Sequence, residues 1–117
     1  MTNYKFFSKA DEIRIEVFRR DLTKRQKAIV WMVHLYSFSM GKDEAIIPKL
    51  SDFELCGVSK YKVKAELEKL IEINVLRWEK DINTFSIISP LDWNAPVNDM
   101  WDQVRFDSLY ELNREKK

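Results

Sequence analysis

The densest concentration of residues able to do chemistry is Ser59-Lys60-Tyr61-Lys62-Val63-Lys64, three lysines and two hydroxyls in six residues with no acid among them. Ammonium groups at this density neutralise phosphates, hydroxyls donate to phosphate oxygens, and the first amides of a helix starting at Ser59 add an anion site. With Val63 turned inward, Tyr61 and Ala65 lie opposite the buried stripe, free to meet a polyanion. Lysine is also common on helix surfaces, and the same residues can simply solvate a helix. A second basic run, Lys24-Arg25-Gln26-Lys27, makes five positive charges with Arg19 and Arg20, against Asp21 alone in nine residues. It either holds a phosphate at a helix start or decorates a junction between helices. Lys80 and Asn83 form a third, weaker set, diluted by Glu79 and Asp81.

Other chemistry is poorly supplied. Gly41 and Gly57 are the only glycines, so neither a phosphate-cradling loop nor a dinucleotide fingerprint can be built. The sole histidine, His34, sits inside Ala28-Ile-Val-Trp-Met-Val-His-Leu-Tyr36, where a packed, hydrogen-bonded ring is the expectation. Cys56 reads as a small buried filler, and a single cysteine supplies neither an intramolecular disulfide nor a multi-thiolate zinc site. The pairs Asp11/Glu12 and Glu66/Glu68 fall among lysines at helical spacings that read as solvated surface. No enzyme, cofactor or metal site is expected.

The elements that must position these residues follow from periodicity and caps. A first helix is expected from Lys9 to Arg20 after a short stretch containing Phe6 and Phe7. Thr23 and Gln26 have the form of a capping box opening a second helix from Lys24 to about Phe38. That helix is apolar nearly all round, which predicts a central position with Trp31, Tyr36 and Phe38 packed in the core. Ala45-Ile46-Ile47 predicts a short strand, and Lys49 to Cys56 a short third helix ended by Gly57. Ser59 then caps a fourth helix from Lys60 to Ile73, with Val63, Leu67, Leu70 and Ile71 on one stripe. Val75 to Trp78 and Thr84 to Ile88 read as a hairpin around Lys80-Asp-Ile-Asn83. Beyond Pro90 the composition turns acidic and loop-forming. Trp93 and Trp101 are too large to leave in water cheaply, so this segment is expected to fold back or meet a partner, with a fifth helix from Asn98 to Leu112. The division expected is residues 1–93 as a DNA-binding domain and 94–117 as an acidic, helical extension.

At 117 residues, with 20 basic against 19 acidic side chains and 45% hydrophobic residues, the chain is long enough to bury a core and has almost no net charge. No apolar run approaches the roughly 20 residues that cross a bilayer. The start MTNYKFFSKADEI lacks the basic head and apolar stretch of a signal peptide, so membrane insertion and export are not expected and the cytoplasm is.

The fold expected is therefore mainly α with a small β-hairpin, an α+β winged helix-turn-helix. The second helix of the helix-turn-helix presents its N-terminus to base edges and phosphates, while the hairpin, or wing, reaches along the backbone. The residue order carries a resemblance as well. Arg20-Asp-Leu-Thr-Lys-Arg-Gln-Lys-Ala-Ile-Val30, Ile47-Pro-Lys-Leu-Ser-Asp-Phe-Glu-Leu-Cys-Gly-Val-Ser59 and Leu67-Glu-Lys-Leu-Ile-Glu-Ile-Asn-Val-Leu76 resemble the N-terminal domain of phage replication protein O and related replisome organisers. The resemblance, from about Asn3 to Trp93, implies recognition of origin DNA and recruitment of a helicase loader or replicative helicase through further regions. It also extends to the N-terminal fold of the DnaD primosomal protein, whose winged helix serves oligomerisation. Asn74 stands where the family more often has glycine, and no helicase-interaction domain is visible after Trp93, so a fragment or a small stand-alone protein is expected.

On this reading Ser59, Lys60, Tyr61, Lys62 and Lys64 contact double-stranded DNA, with Lys24, Arg25 and Lys80 as outlying contacts. A protein-interaction or homo-oligomerising module and a transcriptional repressor remain open on the same fold.

Overall fold

The computed structural model describes residues 8–115; Phe6 and Phe7 lie outside them. Helix α1 (Lys9–Arg19) starts where Ser8 accepts the Asp11 amide, and Asp11 and Glu12 place negative charge on its first turn. Helix α2 (Lys24–Leu35) opens on the expected capping box: Thr23 Oγ1 accepts from the Gln26 amide at 3.1 Å, and Gln26 Oε1 accepts from the Thr23 amide at 2.9 Å. Ile13 and Val17 of α1 meet Ile29, Val30 and Val33 of α2 in the core, each buried chain stabilising the fold by roughly 1.5–3 kcal/mol.

Helix α2 ends before Phe38, and the cause is local. The Ser37 hydroxyl donates to the Val33 carbonyl at 2.6 Å, a back-bond that competes with the helix ladder where the helix ends. The Ser37 amide bonds His34 instead, and a 3-10 turn at Phe38–Met40 closes at Gly41. The helix is also less enclosed than its composition predicts. Trp31 and Leu35 are exposed, and Tyr36 and Phe38 are only half-buried, so one side of α2 faces solvent.

Strand β1 (Ala45–Ile46) leads into a 3-10 helix at Leu50–Cys56, the expected third helix in tighter form. It closes at Gly57 with φ 92°, a conformation that a side chain would strain. Helix α3 (Lys60–Glu72) follows, with Val63, Leu67 and Leu70 fully buried and Ile71 at the margin. Asn74 leaves it at φ 64°, taking the left-handed conformation without glycine, and its side-chain amide donates to the Asp92 carbonyl.

The hairpin forms from β2 (Leu76–Glu79) and β3 (Thr84–Ile87), in register Leu76 to Ile87 and Trp78 to Phe85. β1 joins its far edge, Ala45 opposite Phe85, giving an antiparallel sheet of order β1-β3-β2. Phe85 therefore lies at the centre of the sheet, stacked on Trp78 and edge-on to Phe53 of the 3-10 helix, which fixes the hairpin against the helix-turn-helix.

The segment after the sheet returns to α1. Trp93 is buried and donates from Nε1 to the Ile88 carbonyl at 2.6 Å. Arg20 donates to Glu16 (2.7 Å), to the Ala95 carbonyl (2.8 Å) and to the Pro90 carbonyl (3.0 Å), and its guanidinium lies over the Trp93 ring. Asn98, expected inside a helix, instead gives both its backbone and side-chain N–H groups to the Arg19 carbonyl. Helix α4 consequently begins later and runs Gln103–Glu115, with the Asp102 carboxylate accepting the Arg105 amide at its start.

Candidate nucleic-acid interface

The expected recognition residues occupy the first turns of α3. Ser59 caps it, its hydroxyl accepting the Tyr61 amide at 3.4 Å, while the Lys62 amide bonds the Ser59 carbonyl at 2.8 Å. The 100° step per residue that buries Val63, Leu67 and Leu70 turns Tyr61 directly outward, 86% exposed. Lys62 flanks it on one side, and Lys60 and Lys64 on the other. Lys60 Nζ lies 5.4 Å from the centre of the Tyr61 ring, and among the described residues none of the three lysines is ion-paired. An exposed phenol flanked by three lysines outside any ion pair can offer a flat polar edge to bases while neutralising phosphates on either side. Exposed Glu68 on the same outward face limits this surface to the first two turns.

The start of α2 stands beside this helix. Arg25 Nη1 lies 3.7 Å from Glu66 Oε2, and Glu66 is one turn along α3 from Lys62. The structure thereby brings Lys24 and Arg25 towards the Lys62 side of α3, with Lys24 exposed and Arg25 half-exposed. Glu66 is not the solvated residue its spacing predicts; it is buried under Arg25. The remainder of that basic run is withdrawn. Arg19 makes two bonds to Glu16, at 2.9 and 3.0 Å, Arg20 a third, and Glu16 itself is 2% exposed. These two guanidiniums serve the fold, and the five-charge cluster of the sequence does not exist as a surface.

Lys80 sits at the hairpin turn with Nζ 4.9 Å from the Trp78 ring centre, leaving its charge outward. Asn83 is not free to touch a ligand: at φ 44° it accepts the Trp78 indole N–H and donates to the Pro48 carbonyl at 2.7 Å. That bond fastens the turn to the segment opening the helix-turn-helix. It places exposed Lys49, which the sequence did not single out, next to the wing. The tie spans 35 residues, so no local pattern in the sequence signals it.

His34 is packed as expected. Its Nε2 lies 2.9 Å from the Ala10 carbonyl and Nδ1 3.0 Å from the Ser39 hydroxyl, so the ring carries its proton on Nε2. Burial holds its pKa below the ordinary 6.5, with the Ala10 carbonyl opposing in part. Cys56 is half-buried, its thiol against the Phe53 carbonyl, and burial raises its pKa, the reverse of what a reactive thiolate needs. Among the described residues no group of three His, Cys, Asp or Glu side chains could hold a metal ion. No helix among them is long and apolar enough to cross a membrane.

Helix, helix, strand, helical turn, helix and hairpin, in that order and with this packing, define an α+β protein of the winged-helix type. The family model for bacteriophage replication protein O matches residues 4–92, and the chain belongs to that family. Its membership carries a role connected with replication. Searches among curated proteins and among solved structures return no match.

Proposed function

We propose that the chain is a duplex-DNA-binding winged helix of a phage-type or plasmid-type replication initiator, a binding module and not an enzyme, acting on origin DNA in the cytoplasm. The observation that carries this reading is the capped start of α3, where Lys60, Lys62 and Lys64 flank an outward Tyr61 with no ion-pair partner among the described residues. In a major groove the lysines take phosphates and Tyr61 meets base edges. Lys24 and Arg25 add charge beside Lys62, and Lys80 with Lys49 reaches the backbone beyond the groove. Recruitment of a helicase loader or helicase belongs to other regions.

Fluorescence anisotropy with labelled duplex and single-stranded DNA, from about 50 to 200 mM salt, tests the reading. Duplex binding that weakens steeply with salt is the expected result. Absence of duplex binding at the lowest salt removes DNA from the account and leaves an interaction module on the same fold.

A further inference from the structure

From Ala28 onward helix α2 is apolar nearly all round, yet one stripe of it stands in water. At about 3.6 residues per turn, Lys24, Lys27, Ala28, Trp31 and Leu35 share that stripe, while Ile29 and Val33 enter the core from the other side. Trp31 and Leu35 are 39 and 52% exposed, and Leu55, near the end of the 3-10 helix, is 79% exposed. With Met32, Tyr36 and Cys56 they line one open cleft of about 380 Å³, within the roughly 300–1,000 Å³ of clefts that hold ligand-sized groups. Three large apolar side chains around one cleft form a patch, unlike the single scattered exposures that any surface carries. The cleft also has a charged end. Lys27 and Lys24 continue the stripe about 6 and 10 Å along the helix axis from Trp31, and neither is ion-paired among the described residues. Exposed Glu54 precedes Leu55, so an incoming carboxylate is repelled at the apolar end and drawn to the lysine end.

We propose that this cleft docks an acidic amphipathic helix of another protein. Its large apolar side chains enter between Trp31, Leu35 and Leu55, and its carboxylates, one to two turns away, pair Lys27 and Lys24. Charge selects this occupant. A basic or neutral segment fills the apolar end but leaves both ammonium groups unmatched, whereas carboxylates at that spacing meet them. A helix suits the groove because anchors three and four residues apart share one face, and acid one or two turns further along stays on that face. The cleft shares only Lys24 with the candidate nucleic-acid interface, and Lys27 is not among the residues assigned to DNA.

The test is fluorescence anisotropy of a labelled synthetic helix of about 14 residues, with Leu at i, i+3 and i+4 and Glu one to two turns away, titrated with the full chain in the absence of DNA. The same helix with Lys in place of each Glu is the comparison. The acidic helix is expected to bind at least tenfold more tightly than the basic one. Leu55→Glu is expected to weaken that binding at least tenfold, and Lys24→Gln with Lys27→Gln to remove most of the preference for acid, each with unchanged far-ultraviolet circular dichroism. Val104→Glu, equally exposed but on α4, is expected to leave binding as it is in the wild type. No binding of the acidic helix up to about 1 mM, equal binding of the two helices, or binding that survives Leu55→Glu overturns the proposal. A doubled mass in sedimentation velocity that Leu55→Glu abolishes overturns it too and gives the cleft to a second copy of the chain. DNA takes no part in these measurements, so their outcome is independent of the DNA-binding reading.

Discussion

Two basic stretches that look alike in sequence have opposite fates in the fold. At Lys60 to Lys64 the charges stay in solvent around Tyr61, because Val63 and Leu67 anchor the other side of α3 and no acid reaches the outer face of its first turns. At Arg19 to Lys27 two of the guanidiniums are consumed, Arg19 and Arg20 by buried Glu16 and two backbone carbonyls, while Arg25 stays half-exposed 3.7 Å from Glu66. Arginine's planar fork suits a fixed clamp, while lysine's compact, strongly hydrated charge stays in water. Local charge density therefore counts cations without telling which are available.

The sharpest way to break this contrast is Arg20→Ala. It leaves a carboxylate at 2% exposure with one partner fewer and two carbonyls without their donor, so a loss of about 3 kcal/mol in urea unfolding is expected. A loss below about 0.5 kcal/mol, ordinary for a surface change, would show that Arg20 is a surface residue after all. The triple change of Lys60, Lys62 and Lys64 to Ala should do the converse: stability held within about 0.5 kcal/mol, duplex affinity reduced, and the salt slope flattened by about 0.9 for each phosphate no longer neutralised. Unchanged affinity would take α3 out of the interface.

Acidification probes the buried interior. His34 binds its proton less readily in the folded chain than in the unfolded one, so the unfolded state gains protons first as pH falls through 6.5. Stability should decline across that range, and thermal melts at pH 7.5 and 5.5 in which His34→Gln removes part of the decline would assign it. The smallest effect belongs to Arg25→Gln. A half-exposed pair at 3.7 Å contributes about 0.5 kcal/mol, so its stability change should be slight. A reduced salt slope in this variant would move Arg25 into the same class as the α3 lysines, and an unchanged one would leave it with Glu66.

Much of the candidate site was legible because its determinants are short-range. The Thr23/Gln26 box, the Ser59 cap, the Gly57 and Asn74 left-handed turns and the Val63, Leu67, Leu70 stripe each depend on residues within a few positions of one another. The end of α2 was misplaced even so, since apolar periodicity continues past Leu35 while the Ser37 amide turns to the His34 carbonyl and its hydroxyl back-bonds Val33. Side-chain competition of that kind leaves no mark on a hydrophobic pattern.

What the sequence determined by itself was thus the set of helices, the hairpin and the exposed basic start of α3, all governed by backbone hydrogen bonds and periodicity over one or two turns. Tertiary structure alone decided that β1 closes the sheet on β3, that Glu16 and Glu66 are buried, that Arg20 grips carbonyls 70 and 75 residues away, and that Asn83 ties the wing to Pro48. The reason is physical. An ionic or polar side chain takes its role from whichever partner the packed core brings within 3 Å, and that partner's distance along the chain carries no local signal.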